Sequence, residues 1–246
     1  MLSRRQLLAL TAAAGLIRCA SPRTEQDPDS PASRGRLDAR PGVATTSGPK
    51  GHQRHARSLS YVPESLDPNR PAPLIVTLHG AGGGPRSMIG LMTSYADRIG
   101  AVVIAPQSRA QTWDVIDSTL GPDVEHVDEL LAQTFASYTI DPKRIAVSGF
   151  SDGASYALTL GIGNGDLFTH VMAFSPGFMA GKSQVGAPRF FISHGTNDQV
   201  LPIERCGRRL ARELKEARYD VTYREFTGGH AVPEPIAGAA IDWFMA

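Results

Sequence analysis

Uninterrupted apolar runs constrain this chain more than any other feature. Residues 73–79 read PLIVTLH and residues 101–106 read AVVIAP. A strand with one wet face alternates apolar with polar residues; neither run does, so both faces must be covered. Shorter β-prone runs lie at 57–62, 144–148, 171–174, 189–194 and 220–226. Helical stretches separate the later ones. Val124, Val127, Leu130, Leu131, Phe135 and Tyr138 recur at helical spacing over 123–138. Residues 87–99, 154–160, 203–217 and 233–244 also read as helices. Buried strands alternating with amphipathic helices predict an α/β fold, a mostly parallel central sheet with helices on both faces. A length of 246 residues suits one such domain.

The N-terminal part has a different character. Ser3-Arg4-Arg5-Gln6-Leu7-Leu8 places paired arginines before an apolar stretch that ends at Ile17. That stretch is too short to span a membrane as a mature helix, and it reads as an export signal over residues 1–20. The arginine pair resembles the twin-arginine type, and an ordinary charged leader is the alternative. Cys19 follows directly and is a candidate lipidation site, which would anchor the chain to a membrane. Arg18, however, stands where the lipoprotein pattern wants a small residue. Residues 21–53 are rich in Ser, Pro, Asp, Arg and Gly, and this composition predicts a disordered linker to a domain at 54–246. Cys206, the one other cysteine, reads as a packing residue.

The net charge of +1 conceals an asymmetry. Residues 1–54 carry nine Lys/Arg against four Asp/Glu, and the remainder sixteen against twenty. A mildly acidic body without a clustered basic face argues against a nucleic-acid partner. No His, Cys, Asp and Glu pattern has zinc-ligand spacing, and no metal or organic cofactor is implied.

Four motifs fall at predicted strand ends, where open parallel sheets gather their reactive groups. Gly149-Phe150-Ser151-Asp152-Gly153 is G-x-S-x-G between a strand and a helix. Its glycines permit the crowded turn that projects a serine hydroxyl from the sheet. His79 to Gly84 reads HGAGGG after the first apolar run. Glycines there let backbone amides approach a developing oxyanion, and Ala81 and Asp152 are the expected amide donors. A phosphate loop is disfavoured, since no G-x-x-x-x-G-K-[ST] is present. Asp198 lies just past the 189–194 strand and His230 just past the last one. A serine base must be a histidine, and a buried carboxylate on its far nitrogen holds the useful tautomer. The order Ser151, Asp198, His230 is that of the α/β-hydrolases. His194 reads as a structural histidine. Trp113, in the polar loop 107–121, either lines a substrate pocket or pins its loop.

The segments HGAGGG, GFSDGASYAL, NGDLFTHVMAFSPGF, ISHGTNDQVLPI and TGGH resemble bacterial α/β-hydrolase esterases. The nearest groups are the phospholipase/carboxylesterases and the polyhydroxybutyrate-depolymerase-like esterases. The likeness spans about residues 55–245. It implies an α/β-hydrolase domain with no large cap, and a small-molecule ester as partner. It also implies Ser151 as nucleophile, Asp198 as acid, His230 as base, and Ala81 and Asp152 as oxyanion donors. One departure stands out: after the serine, the first group often has Gln-Gly and the second Ala-Gly, whereas this chain has Asp152-Gly153. A prolyl-oligopeptidase-type peptidase would share the elbow but usually brings a large extra domain. A non-catalytic binding protein on this fold would lack a triad member, and all three are present.

Overall fold

The computed structural model describes residues 30–117, 120–180 and 184–246. One sheet contains β1 (Gly51–His55), β2 (Ser58–Val62), β3 (Ala72–Leu78), β4 (Val102–Ala105), β5 (Ile140–Phe150), β6 (His170–Phe174), β7 (Arg189–Gly195) and β8 (Val221–Phe226). Their spatial order is β1-β2-β4-β3-β5-β6-β7-β8. The β1–β2 and β2–β4 pairs are antiparallel, and every later pair is parallel. The helices are α1 (Pro85–Ile99), α2 (Pro122–Ser137), α3 (Asp152–Gly163), α4 (Gly207–Glu216) and α5 (Glu234–Met245). This is the α/β-hydrolase fold.

The apolar runs take the place their composition demands. Every residue of β3 and β4 is buried. Successive side chains enter opposite layers, as the pleat requires. Leu74, Val76 and Leu78 join a core built with α2, α3 and α4, while Ile75 packs with α1 and α5. Along β4, Val102 and Ile104 face the first layer and Val103 and Ala105 the second. Two helical layers therefore account for the missing alternation.

The chain leaves β3 for β4 on one side and then crosses to β5 on the other side of β3. The connections diverge there, which opens a crevice beyond the carboxyl ends of the strands. The loops after β3 and β5 both enter it.

Two expectations need correction. The helix expected over 203–217 begins at Gly207, because residues 203–206 form a local turn, the Arg205 and Cys206 amides donating to the Pro202 and Ile203 carbonyls, and Cys206 has a non-helical backbone. The amides of Val200 and Leu201 donate to Asp198, and the Leu201 carbonyl accepts from His194.

The second correction concerns the linker expected at 21–53, whose described part is packed on the domain. Arg36 donates twice to Asp166, at 3.0 and 2.8 Å, and Arg40 adds a third bond at 2.7 Å. Asn164 accepts from the Leu37 amide and donates to the Gly35 carbonyl. Asp128 accepts from the amides of Asp38 and Ala39. Leu37 is wholly buried within the larger core. The strap is held by one leucine and by polar partners far along the chain, so local composition carries no sign of it. The export signal and Cys19 lie outside the described residues. Among the described residues, no helix is long and apolar enough to cross a membrane.

Truncating the strap's anchor tests this docking. Leu37→Ala is expected to cost about 2–5 kcal/mol in urea unfolding, the usual range for a buried leucine. A disordered segment would make the change neutral.

Candidate active site

Ser151 sits between β5 and α3 with φ 56° and ψ −120°. A non-glycine residue at positive φ is strained and persists only where its surroundings over-determine it. Here the surroundings are backbone. A Cβ on Gly149 would collide with the Gly153 carbonyl, and one on Gly153 would collide with the carbonyls of Leu78 and His79. The two glycines therefore let the turn close against the end of β3. The Ser151 amide also donates to the Phe174 carbonyl at 3.0 Å, which ties the elbow to β6.

Three of the expected residues meet in one hydrogen-bonded row. His230 Nε2 lies 2.8 Å from Ser151 Oγ, and His230 Nδ1 lies 2.7 Å from Asp198 Oδ2. A carboxylate can only accept, so Nδ1 carries the imidazole proton and Nε2 is left to accept from the serine. The Asp198 side chain is fully buried, and that of His230 is 15% exposed.

Burial alone would raise the Asp198 pKa. Hydrogen bonds from the Leu201 amide, His230 and the Val200 amide outweigh it and leave the carboxyl below its ordinary value. The group is therefore ionised at neutral pH. His194 supports it from below, its Nε2 lying 2.7 Å from the Leu201 carbonyl and 3.3 Å from Asp198 Oδ2. Burial lowers the His194 pKa, so this second histidine is a neutral structural partner.

The glycine loop after β3 runs beside the elbow. A Cβ on Gly80 would stand 3.2 Å from that of Ser151. Asp152 is the first residue of α3, so its amide has no partner within the helix. Among the described residues, neither the Ala81 nor the Asp152 amide is donated to a protein acceptor.

Trp113 does not line a cleft. It is 0% exposed, its indole donates to the His79 carbonyl at 2.8 Å, and it stacks on Tyr156 with ring centroids 5.0 Å apart. The expectation that it contacts substrate is corrected: an indole sealed between two aromatic rings pins its loop and has no face left for a ligand.

That loop carries what sequence reading missed. The Ser108 amide donates to His79 Nε2 at 3.1 Å, giving His79 a supporting role beneath the glycines. Asp114 and Asp123 exchange contacts. Asp114 accepts from the amides of Gly121 and Asp123, and Asp123 accepts from those of Asp114 and Arg109. The signal for half of this was legible: Asp123 stands in the first turn of a helix opened by Gly121-Pro122. Burial, reinforced by the nearby Asp123 charge, pushes the Asp114 carboxyl up to about 6 despite the amides that donate to it. No group of three or more His, Cys, Asp or Glu among the described residues could hold a metal ion.

The sheet order, the strained elbow and the serine–histidine–aspartate row define an α/β-hydrolase. A family model described as Phospholipase/Carboxylesterase matches residues 111–242, and the chain belongs to that family. A bifunctional acetylxylan esterase/xylanase of Neocallimastix patriciarum is 33% identical over 150 residues, 57% of this chain and 21% of that protein. A probable feruloyl esterase C of Aspergillus flavus is 29% identical over 153 residues, 58% of this chain and 55% of that one. The chain therefore spans about half or less of the length of these relatives. Among solved structures, the phospholipase/carboxylesterase of Dyadobacter fermentans aligns with TM-score 0.60 at 20% identity, covering 83% of this chain and 100% of that one. The Bacillus cereus carboxylesterase aligns with TM-score 0.60 at 19% identity, covering 78% and 95%. At such identities the structural matches speak for the fold.

The Asp114 carboxyl yields a pH prediction. Its folded pKa stands above the ordinary 3.8, so its contribution to stability is full below that value and is lost as pH rises through about 6. Asp114→Asn should therefore gain stability relative to wild type between pH 4 and pH 7, on the order of 2 kcal/mol. Urea unfolding of both proteins across that range measures it, and a constant difference would contradict it.

Proposed function

We propose that the protein is a serine carboxylesterase that hydrolyses small or medium acyl esters through an acyl-enzyme on Ser151. The observation that carries this reading is the unbroken row from Ser151 Oγ through His230 to buried, ionised Asp198. His230 Nε2 takes the hydroxyl proton as Oγ bonds to the ester carbonyl carbon. The Ala81 and Asp152 amides hold the oxygen that becomes negative. The intermediate collapses, the C–O bond to the alcohol breaks, and the alkoxide leaves with the proton from His230. Water, deprotonated by the same imidazole, then releases the acid and restores the serine.

Membership of the Phospholipase/Carboxylesterase family supports the ester class, as do relatives described as feruloyl and acetylxylan esterases. A peptidase or a non-catalytic reading has no observation in its favour. Val200, two residues past Asp198, is 66% exposed, which suits contact with an acyl group near the surface. Export remains part of the proposal on the strength of the Arg4-Arg5 leader, with lipid anchoring through Cys19 as its extension.

The test uses p-nitrophenyl esters of graded chain length. Ser151→Ala should lower kcat by about 10⁴-fold or more, since removal of a triad member leaves only the residual catalysis of binding and the oxyanion hole. A fluorophosphonate should label Ser151 and no other residue. Equal turnover by wild type and variant would sink the assignment.

A further inference from the structure

We propose that the tripeptide Gln111-Thr112-Trp113 is the positioning element of the oxyanion hole, with the Thr112 hydroxyl as its decisive contact. The inference rests on the reading of Ser151 as an acyl-transfer nucleophile.

An oxyanion hole needs two donors at one fixed spacing. Here they come from different strands: Ala81 follows β3 and Asp152 follows β5. The pairing of those strands ends at Leu78 with Gly149, before either donor. Beyond that point Gly153 abuts the carbonyls of Leu78 and His79, and three successive residues of the 107–121 loop bond to both halves. The Gln111 carbonyl accepts from the Gly82 amide at 2.6 Å, beside Ala81. The Trp113 indole donates to the His79 carbonyl at 2.8 Å, on the same side. Between them, Thr112 Oγ1 donates to Asp152 Oδ2 at 2.7 Å and grips the other half.

The bridge is itself stiff. Trp113 lies between the rings of His79 and Tyr156, at centroid distances of 4.9 and 5.0 Å. Asp114, the next residue, is locked to Asp123 by the exchanged amide bonds. Movement of either half of the hole would therefore break contacts in the loop.

Asp152 explains why a hydroxyl is needed at position 112. Gln or Ala after the nucleophile carries no charge, whereas a carboxylate beside a forming oxyanion opposes it. The Thr112 hydrogen bond holds one carboxylate oxygen against the loop and screens its charge. An ester ground state has no full negative charge and the transition state does. The contact should therefore act on kcat more than on KM.

The test compares Thr112→Val, which keeps the shape and loses the donor, with Thr112→Ser, which keeps the donor. Thr112→Ala replaces Val if circular dichroism shows that the valine variant does not fold. Turnover of a p-nitrophenyl ester and inhibition by a trifluoromethyl ketone, which forms a tetrahedral adduct with serine, are measured together. Loss of the donor should lower kcat by about 10–100-fold, through the unscreened Asp152 charge together with donor misplacement, with KM within about twofold. Affinity for the ketone should fall in parallel with kcat. Thr112→Ser should retain kcat within about threefold of wild type. In the donor-less background, Asp152→Asn should recover part of kcat by removing the charge, which a merely structural role for Thr112 would not produce. Fluorophosphonate labelling of the wild type at Ser151, with kcat unchanged by loss of the donor, would overturn this inference alone. Equal losses in the valine and serine variants, or no recovery with Asp152→Asn, would overturn it as well. Labelling at another serine would overturn the proposed function and this inference with it.

Discussion

The backbone contact between the elbow and the end of β3 governs the rest of the site. Gly153 lies against the carbonyls of Leu78 and His79, and Gly149 lies against Gly153. A side chain at Gly153 would force the start of α3 away from β3, and one at Gly149 would force the turn itself open. The serine would then lose the turn that lifts its hydroxyl from the sheet, and the glycine loop after β3 would lose its place beside that hydroxyl. The positive φ of Ser151 is sustained by this closeness. The strain is local, and its support is distributed over β3, β5 and β6.

Around that contact the groups fall into two sets with different means of support. The acid and base are held by hydrogen bonding within loops. Val200 and Leu201 turn their amides onto Asp198, and His194 anchors the turn through the Leu201 carbonyl. The proposed oxyanion side is held by aromatic packing and by a loop crossing from another connection. Trp113, His79 and Tyr156 stack, and the residues beside Trp113 reach both β3 and β5. One side keeps a charge ionised in a buried place; the other, in the proposed mechanism, presents two neutral amide donors.

Much of this is legible in the sequence. The apolar runs at 73–79 and 101–106 require cover on both faces, which only a layered α/β fold supplies. Glycine spacing around Ser151 marks a crowded turn, and Asp198 and His230 follow strands as a relay must. The misreadings share a cause. Residues 30–50 lack an apolar pattern, yet Leu37, Arg36 and Arg40 dock through partners that follow them by many residues. Trp113 was open to two readings because a tryptophan in a polar loop looks the same in sequence whether its ring faces a cleft or a core. The start of α4 differs because an apolar residue such as Ile203 fits a helical period even where the backbone forms only a turn.

The sequence by itself determined every strand but β1, the sheet class and the chemical types at the strand ends, because periodicity, glycine placement and residue chemistry are local properties. Only the tertiary structure decided which side chains touch. It turned Trp113 inward, joined Thr112 to Asp152, and drew residues 30–50 into the fold. Each of these is a pairing between segments distant in the chain, and such pairings depend on how β3, β5, β7 and β8 are ordered in space. That order comes from the packing of the whole sheet between its two helical layers, which no local pattern encodes.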